Sequence, residues 1–187
     1  MGGNLGTASP AGDTLPVLAV YEAEVVLASS GGTRTLPWSD FLLGPKRTAI
    51  AAGELIVGAR WKVFRGTGSF SKIGTRNAMV IAVASLCLVL DQDARRARAA
   101  LGSVGPTIIR ARAAEDYLTS EIERAGAWDD PGAPLPPAVA GAFAERLAQA
   151  ARPIDDVRGS AAYRRHALEV LARRALAWSL SDRRPRR

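Results

Sequence analysis

Ala78-Met79-Val80-Ile81-Ala82-Val83-Ala84-Ser85-Leu86-Cys87-Leu88-Val89-Leu90 is the longest apolar run of this 187-residue chain, and its conformation decides the fold around it. It is too short for a membrane span, which needs about 20 apolar residues. Period alone does not separate a buried strand from a buried helix in so short a run. The valines, the isoleucine and the polar turn Asp91-Gln92-Asp93 that follows favour a strand over Met79–Leu90. Phe70 to Gly74 before it and Ala97 to Val104 after it then supply partners, so that Gly66 to about Pro106 reads as a small antiparallel meander.

Towards the N-terminus the texture changes to Gly, Ser and Pro punctuation with short β-like runs. Glu24 to Ser29 reads as a strand, Gly31-Gly32 as a tight turn, and Thr33-Arg34-Thr35-Leu36 as the returning strand of a hairpin. Glu54 to Trp61 is a third strand candidate. Towards the C-terminus the chain reads as helical. Ile109 to Thr119 carries Ala111, Ala114, Tyr117 and Leu118 at helical spacing. Pro136 to Ala151 has Pro137 in its first turn, where proline is tolerated. Ser160 to Leu180 places Tyr163, Ala167, Val170, Leu171 and Leu176 on one stripe. Gly126 to Pro137, with Pro131 and Pro134, reads as a surface connection.

Bulk properties exclude several classes. An apolar content of 48 % is ordinary for a globular protein. One cysteine, Cys87, rules out an internal disulfide and suits a reducing cytoplasm. One cysteine and one histidine, His166, leave too few ligands for a self-contained zinc or iron–sulfur site, so that any metals belong to partners. The net charge of +7 is read as arginines paired with acids along helices, such as Glu145 with Arg146 and Glu169 with Arg173. The cluster Arg183, Arg184, Arg186 and Arg187 around Pro185 reads as a solvated tail, with a nucleic-acid arm as the weaker alternative. No export signal is visible at Met1-Gly2-Gly3-Asn4, and the expectation is a cytoplasmic protein without a membrane span.

The opening stretch is chemically suggestive. Gly2 and Gly3 allow close backbone approach to a diphosphate, Asn4, Thr7 and Ser9 offer neutral donors, and Asp13 can accept bonds from ribose hydroxyls. Such a signal is unspecific by itself; a flexible terminus would look the same. Asp155 and Asp156 read as carboxylates at a helix start, paired with Arg158 or Arg164, rather than as an acid/base couple. Cys87 reads as a buried thiol and His166 as a surface or groove residue. The tryptophans at 38, 61, 128 and 178 are spread too widely for a base-stacking platform.

Residue order carries more than any single motif. Gly2 to Pro16 (GGNLGTASPAGDTLP), Phe70 to Met79 (FSKIGTRNAM), Ala100 to Thr107 (ALGSVGPT), Arg110-Ala111 with Glu115, and Asp155 to Arg165 (DDVRGSAAYRR) resemble, block by block, the FAD-binding (medium) subunit of molybdenum hydroxylases, the xanthine dehydrogenase and carbon monoxide dehydrogenase family. The resemblance implies an α+β fold, with a partial FAD-binding lobe of the PCMH type at 1–64. A C-terminal domain of a small antiparallel sheet of about three strands plus a helical bundle would follow at 65–182, then a basic tail at 183–187. It implies that the family's N-terminal flavin lobe is lacking, so that the chain alone would be inactive or bind FAD weakly.

By the same resemblance Gly2, Gly3, Asn4 and Ser9 would hold the pyrophosphate, Asp13 the ribose or phosphate region, Ile56 would face the flavin, and Lys72 would place a cation near the isoalloxazine. No side chain is assigned a catalytic acid or base role. The implied function is that of an oxidoreductase subunit: FAD takes electrons from [2Fe-2S] clusters and passes them to an acceptor such as NAD or a quinone. Iron–sulfur and molybdopterin-binding subunits would be the partners. The alternative reading is a non-flavin assembly module that docks on those subunits.

Overall fold

The computed structural model describes residues 1–183. The glycine-rich opening, where the sequence reading places no helix, forms α1 (Gly2–Thr7) and α2 (Thr14–Val20). Each glycine in α1 costs about 1 kcal/mol relative to alanine, so packing rather than propensity must hold it. Leu5 is its buried anchor. The Asn4 side-chain carbonyl also accepts from the backbone N–H of Thr14 at 3.1 Å and from its hydroxyl at 2.9 Å, tying α1 to the start of α2.

The predicted hairpin follows as β1 (Glu24–Ser29) and β2 (Gly32–Pro37), antiparallel with Ser29 opposite Gly32. A single turn α3 (Trp38–Phe41) leads to the small hairpin of β3 (Leu42–Gly44) and β4 (Arg47–Thr48). The third predicted strand is β5 (Leu55–Arg60), which pairs antiparallel with β1 and completes a sheet of order β2-β1-β5.

The meander is present as β6 (Gly66–Ile73), β7 (Ala84–Asp91) and β8 (Arg96–Gly102). Two boundaries need correction. The central strand begins at Ala84, not Met79, because Met79 is 97 % exposed in the segment joining β6 to β7. Ile109-Arg110, expected to open a helix, is instead a fourth short strand, β9, beside β8. Every residue of β7 is buried. Its even-numbered leucines, Leu86, Leu88 and Leu90, face one core, while Cys87 and Val89 face the other. A strand covered on both faces loses apolar alternation, which is why the run could not be told from a helix in the sequence.

Helices cover the first face: α4 (Arg112–Arg124), α5 (Pro137–Ala150) and α6 (Ala161–Asp182). The segment α1 to β5 covers the second. Beyond the two residues paired with β9, the edge of β8 has no strand among the described residues to accept its N–H groups. The helix α4 substitutes: Glu115 Oε1 accepts from Ala99 N at 2.8 Å and Thr119 Oγ1 from Ala97 N at 3.0 Å, one helical turn apart.

On α6 the buried stripe is Arg164, Ala167, Leu168, Leu171, Ala172, Ala175, Leu176 and Ser179. Tyr163, placed on the apolar stripe by sequence, is 46 % exposed instead. The connection after Gly126 is not wholly on the surface either, since Trp128 is fully buried in the helical core. Arg183 lies over the Trp128 ring at 5.1 Å and donates to Gln92, so this member of the basic tail is docked rather than solvated; Arg184, Arg186 and Arg187 lie outside the described residues. Glu169 pairs with Arg173 as expected, at 3.7 Å. Arg146 does not pair with Glu145, because adjacent helical residues point apart; its guanidinium stacks on Tyr117 at 4.1 Å.

Cys87 is a buried thiol, and burial pushes it up to about 12. At pH 8 the native protein should resist iodoacetamide, while urea-unfolded protein should be alkylated at the rate of an ordinary cysteine. Equal rates by mass spectrometry would refute the burial argument.

Candidate functional site

The loop between α1 and α2 and the outer end of β6 meet although they are far apart in sequence. Lys72 Nζ donates to Asp13 Oδ2 at 2.5 Å and to the Val80 carbonyl at 3.2 Å. Asp13 immediately precedes α2, so its carboxylate sits at the positive end of that helix as well as beside the ammonium. Asn4, Gly12, Asp13, Lys72 and the segment 79–81 line a groove of 320 Å³. Gly12 is needed there for space: a Cβ would come within 3.2 Å of Asn4 Oδ1. With the Asn4 carbonyl spent on Thr14, its amide N–H groups are the donors left for a ligand.

Asp13 is also on the wall of a second, apolar slot of 520 Å³. Thr14, Val17, Leu18 and Tyr21 line it, spaced along α2 as one helical face, and Trp61 and Phe70 close it. The Tyr21 ring is fixed by stacking on Phe64, with centroids 4.6 Å apart, and Arg98 lies over Phe64 at 5.4 Å. A polar groove and an aromatic slot that share one carboxylate suit a flat ring carrying a polar chain. Their sizes fall within the range of small-molecule sites, about 300–1,000 Å³.

Of the residues singled out by sequence, the structure therefore brings Asn4, Asp13 and Lys72 together. Ser9 lies on the same loop but opens into a different cavity. Ile56 is half-buried on β5 and faces Gly6 of α1, whose Cβ would lie 3.9 Å from its side chain. Gly2 and Gly3 are exposed, with open space where a Cβ would stand. The aromatic slot was missed by the sequence reading. The spacing of Val17 and Tyr21 would have revealed it had α2 been anticipated, whereas Trp61 and Phe70 carry no local signal.

The blocks that lie outside this groove have structural roles. Asp155 Oδ1 accepts from Ala161 N at 2.5 Å at the start of α6, where Ser160 also caps Tyr163 N. Asp156 pairs with Arg164 at 2.7 Å and Arg158 at 3.3 Å, as the sequence reading expects. The Arg158 backbone N–H and the Arg164 guanidinium hold its carboxyl below the usual value. His166 is exposed on α6.

Comparison with known proteins agrees with this architecture. The sequence model described as "CO dehydrogenase flavoprotein C-terminal domain" matches residues 69–179, and that described as "FAD binding domain in molybdopterin dehydrogenase" matches residues 1–60. The chain belongs to the CO dehydrogenase flavoprotein family, the FAD-binding subunits of molybdenum hydroxylases. The chain is 30 % identical to the nicotine 6-hydroxylase medium subunit of Paenarthrobacter nicotinovorans over 94 % of its own length and 59 % of that subunit. It is 28 % identical to the glyceraldehyde dehydrogenase medium chain of Sulfolobus acidocaldarius, over 94 % of this chain and 59 % of the relative.

Carbon monoxide dehydrogenase of Hydrogenophaga pseudoflava superposes with a TM-score of 0.78 at 25 % identity, covering 98 % of this chain and 61 % of that one. The chain thus spans about three-fifths of the length of the relatives it matches. Among the described residues no helix is long and apolar enough to cross a membrane, and no cluster of His, Cys, Asp or Glu has the arrangement of a metal site.

Proposed function

We propose that this chain holds FAD in the groove and slot that meet at Asp13, and acts as the electron-transfer subunit of a molybdenum hydroxylase. Bound there, FAD would take electrons from iron–sulfur clusters on one partner subunit, fed by a molybdopterin subunit, and deliver them to an acceptor such as NAD. The observation that carries the reading is the Lys72–Asp13 pair standing at the junction of a polar groove and an aromatic slot.

In this reading Trp61, Phe70 and Tyr21 receive the ring and exclude water from its faces. Lys72, held by Asp13 and the Val80 carbonyl, presents a fixed cation whose charge favours the reduced, anionic form. Asn4 donates its amide N–H groups to the polar chain, with the exposed Gly2 and Gly3 beside it on α1, while Ser9, which opens into another cavity, is left out of this groove. Ile56 supports α1 from behind. The proposed division is 1–64 for the flavin lobe and 65–182 for the C-terminal domain, with a basic tail at 183–187. The single buried thiol suits a reducing cytoplasm.

A complex captured through this chain should contain FAD at one equivalent per chain. Titration of FAD into the purified chain should quench flavin fluorescence saturably through the aromatic slot. Lys72→Met should weaken binding about 10- to 100-fold, the worth of a hydrogen bond to a charged group. A colourless complex that retains its partner subunits would overturn the proposal. A second reading, a docking module without flavin, draws on the free edge of β5, where Leu55 is 71 % and Val57 59 % exposed. It requires an FAD titration with no saturable quenching and an otherwise intact assembly.

A further inference from the structure

Ala11 lines the Lys72 groove on one side and, on the other, a cavity of 310 Å³ that the flavin reading does not use. The walls of this cavity are cross-tied. Ser103 N donates to the Pro10 carbonyl at 2.8 Å, and Arg152 N to the Val104 carbonyl at 2.7 Å. Arg164 Nη1 donates to the Ser103 carbonyl at 2.8 Å. Three guanidinium groups, those of Arg152, Arg158 and Arg164, face it with one carboxylate, Asp156, among its lining residues. Arg164 is only 2 % exposed, and its donors are committed to the Val83, Ser103 and Gly159 carbonyls and to Asp156. Arg158 spends its guanidinium only on Asp156, and Arg152 one nitrogen on the carbonyls of Gln149 and Ala151. Their other N–H groups have no protein acceptor among the described residues.

Two serines complete the lining. Ser103 Oγ is buried and finds no hydrogen-bond partner among the described residues, and its backbone is held in the left-handed region at φ 62°. A strained non-glycine residue with an orphan buried hydroxyl costs stability, and such strain concentrates where a ligand is bound. Ser9 Oγ accepts from Ala11 N at 3.3 Å, which leaves its proton free to donate. Unspent guanidinium forks and hydroxyl donors, with a net positive charge, are the donor set for a tetrahedral oxyanion.

We infer that the cavity between Ser9, Ser103, Arg152 and Arg158 binds a phosphate-type oxyanion. The anion is either the diphosphate of the dinucleotide, in which case the inference rests on the flavin reading, or a separate phosphate that does not. The chemistry is shared, and the experiment separates the sources.

Inorganic pyrophosphate is titrated calorimetrically into the purified chain at constant ionic strength, alongside Arg158→Gln and Arg152→Gln. Both side chains lie at the surface, so circular dichroism should show these variants folded. Saturable binding by the parent chain, weakened at least tenfold in each variant, is expected. Absence of saturable binding, or affinity unchanged in both variants, overturns the inference.

Parallel titrations use FAD and riboflavin, which lacks phosphate. If Arg158→Gln weakens FAD but not riboflavin, and pyrophosphate competes with FAD, the anion is the cofactor's diphosphate. If pyrophosphate binds equally to FAD-loaded protein, the site is a separate one. Pyrophosphate binding that persists when FAD fails to bind leaves this inference standing and sinks the flavin reading alone.

Discussion

Replacing Arg164 by alanine should lower the thermal midpoint by on the order of 10 °C. Its guanidinium, 2 % exposed, donates to the carbonyls of Val83 at 2.6 Å and Ser103 at 2.8 Å and to Asp156 at 2.7 Å. It therefore joins the start of α6 to the entry of β7 and the exit of β8. Truncation removes the charge and leaves two buried carbonyls without donors. Breaking a buried, hydrogen-bonded charge network of this kind costs about 3–5 kcal/mol, and for a chain of this size each kcal/mol shifts the midpoint by about 2–4 °C. Arg164→Lys keeps the charge but not the planar fork that reaches two carbonyls and a carboxylate together, so it should recover less than half of the loss. A midpoint within 2 °C or so of the parent for Arg164→Ala, by circular dichroism, would show that the network contributes little.

The second large effect is expected at Glu115. Its two oxygens accept from Arg110 at 2.6 and 2.9 Å, and one of them also accepts from Ala99 N. Both side chains of the pair are 5 % exposed. Glu115→Ala would strand a buried guanidinium and free an N–H on the edge of the sheet, a loss of roughly 3–5 kcal/mol. Because Arg110 Nη1 also donates to the Ala19 carbonyl at 2.8 Å, the damage should spread to the packing of α2 on the sheet. The double variant Arg110→Met, Glu115→Leu should recover much of the stability, since well-packed apolar residues often replace a buried pair at little cost. Chemical denaturation of Arg110→Met, Glu115→Leu and the double variant measures the coupling. Additive losses would mean that the pair does not act as a unit.

These two networks show where sequence reading reaches and where it stops. Short apolar or alternating runs bounded by the Gly31-Gly32 turn marked β1, β2 and β5, because strand residues and turn residues are local signals. The helix start at Ser160 was legible for an equally local reason: Asp155 and Ser160 supply acceptors to the first N–H groups of α6. The error at Glu145–Arg146 was geometric, since adjacent residues on a helix diverge. The short β9 was lost because two residues carry too little pattern, and α1 because its glycines argue against the helix that Leu5 and Asn4 anchor.

Taken by itself, the order of residues determined the family, the α+β class, the central strand and the presence of carboxylates at the start of the last helix. All of these rest on short-range pattern or on whole blocks in register. The folded chain alone decided that Lys72 meets Asp13, that Tyr21, Trp61 and Phe70 share one slot, and that Ser9 lines the cavity with Arg158 rather than the groove with Lys72. Those pairings join positions that no helical or strand period relates. They exist because β7 is buried on both faces, which presses the N-terminal segment against one side of the sheet while the helices close the other.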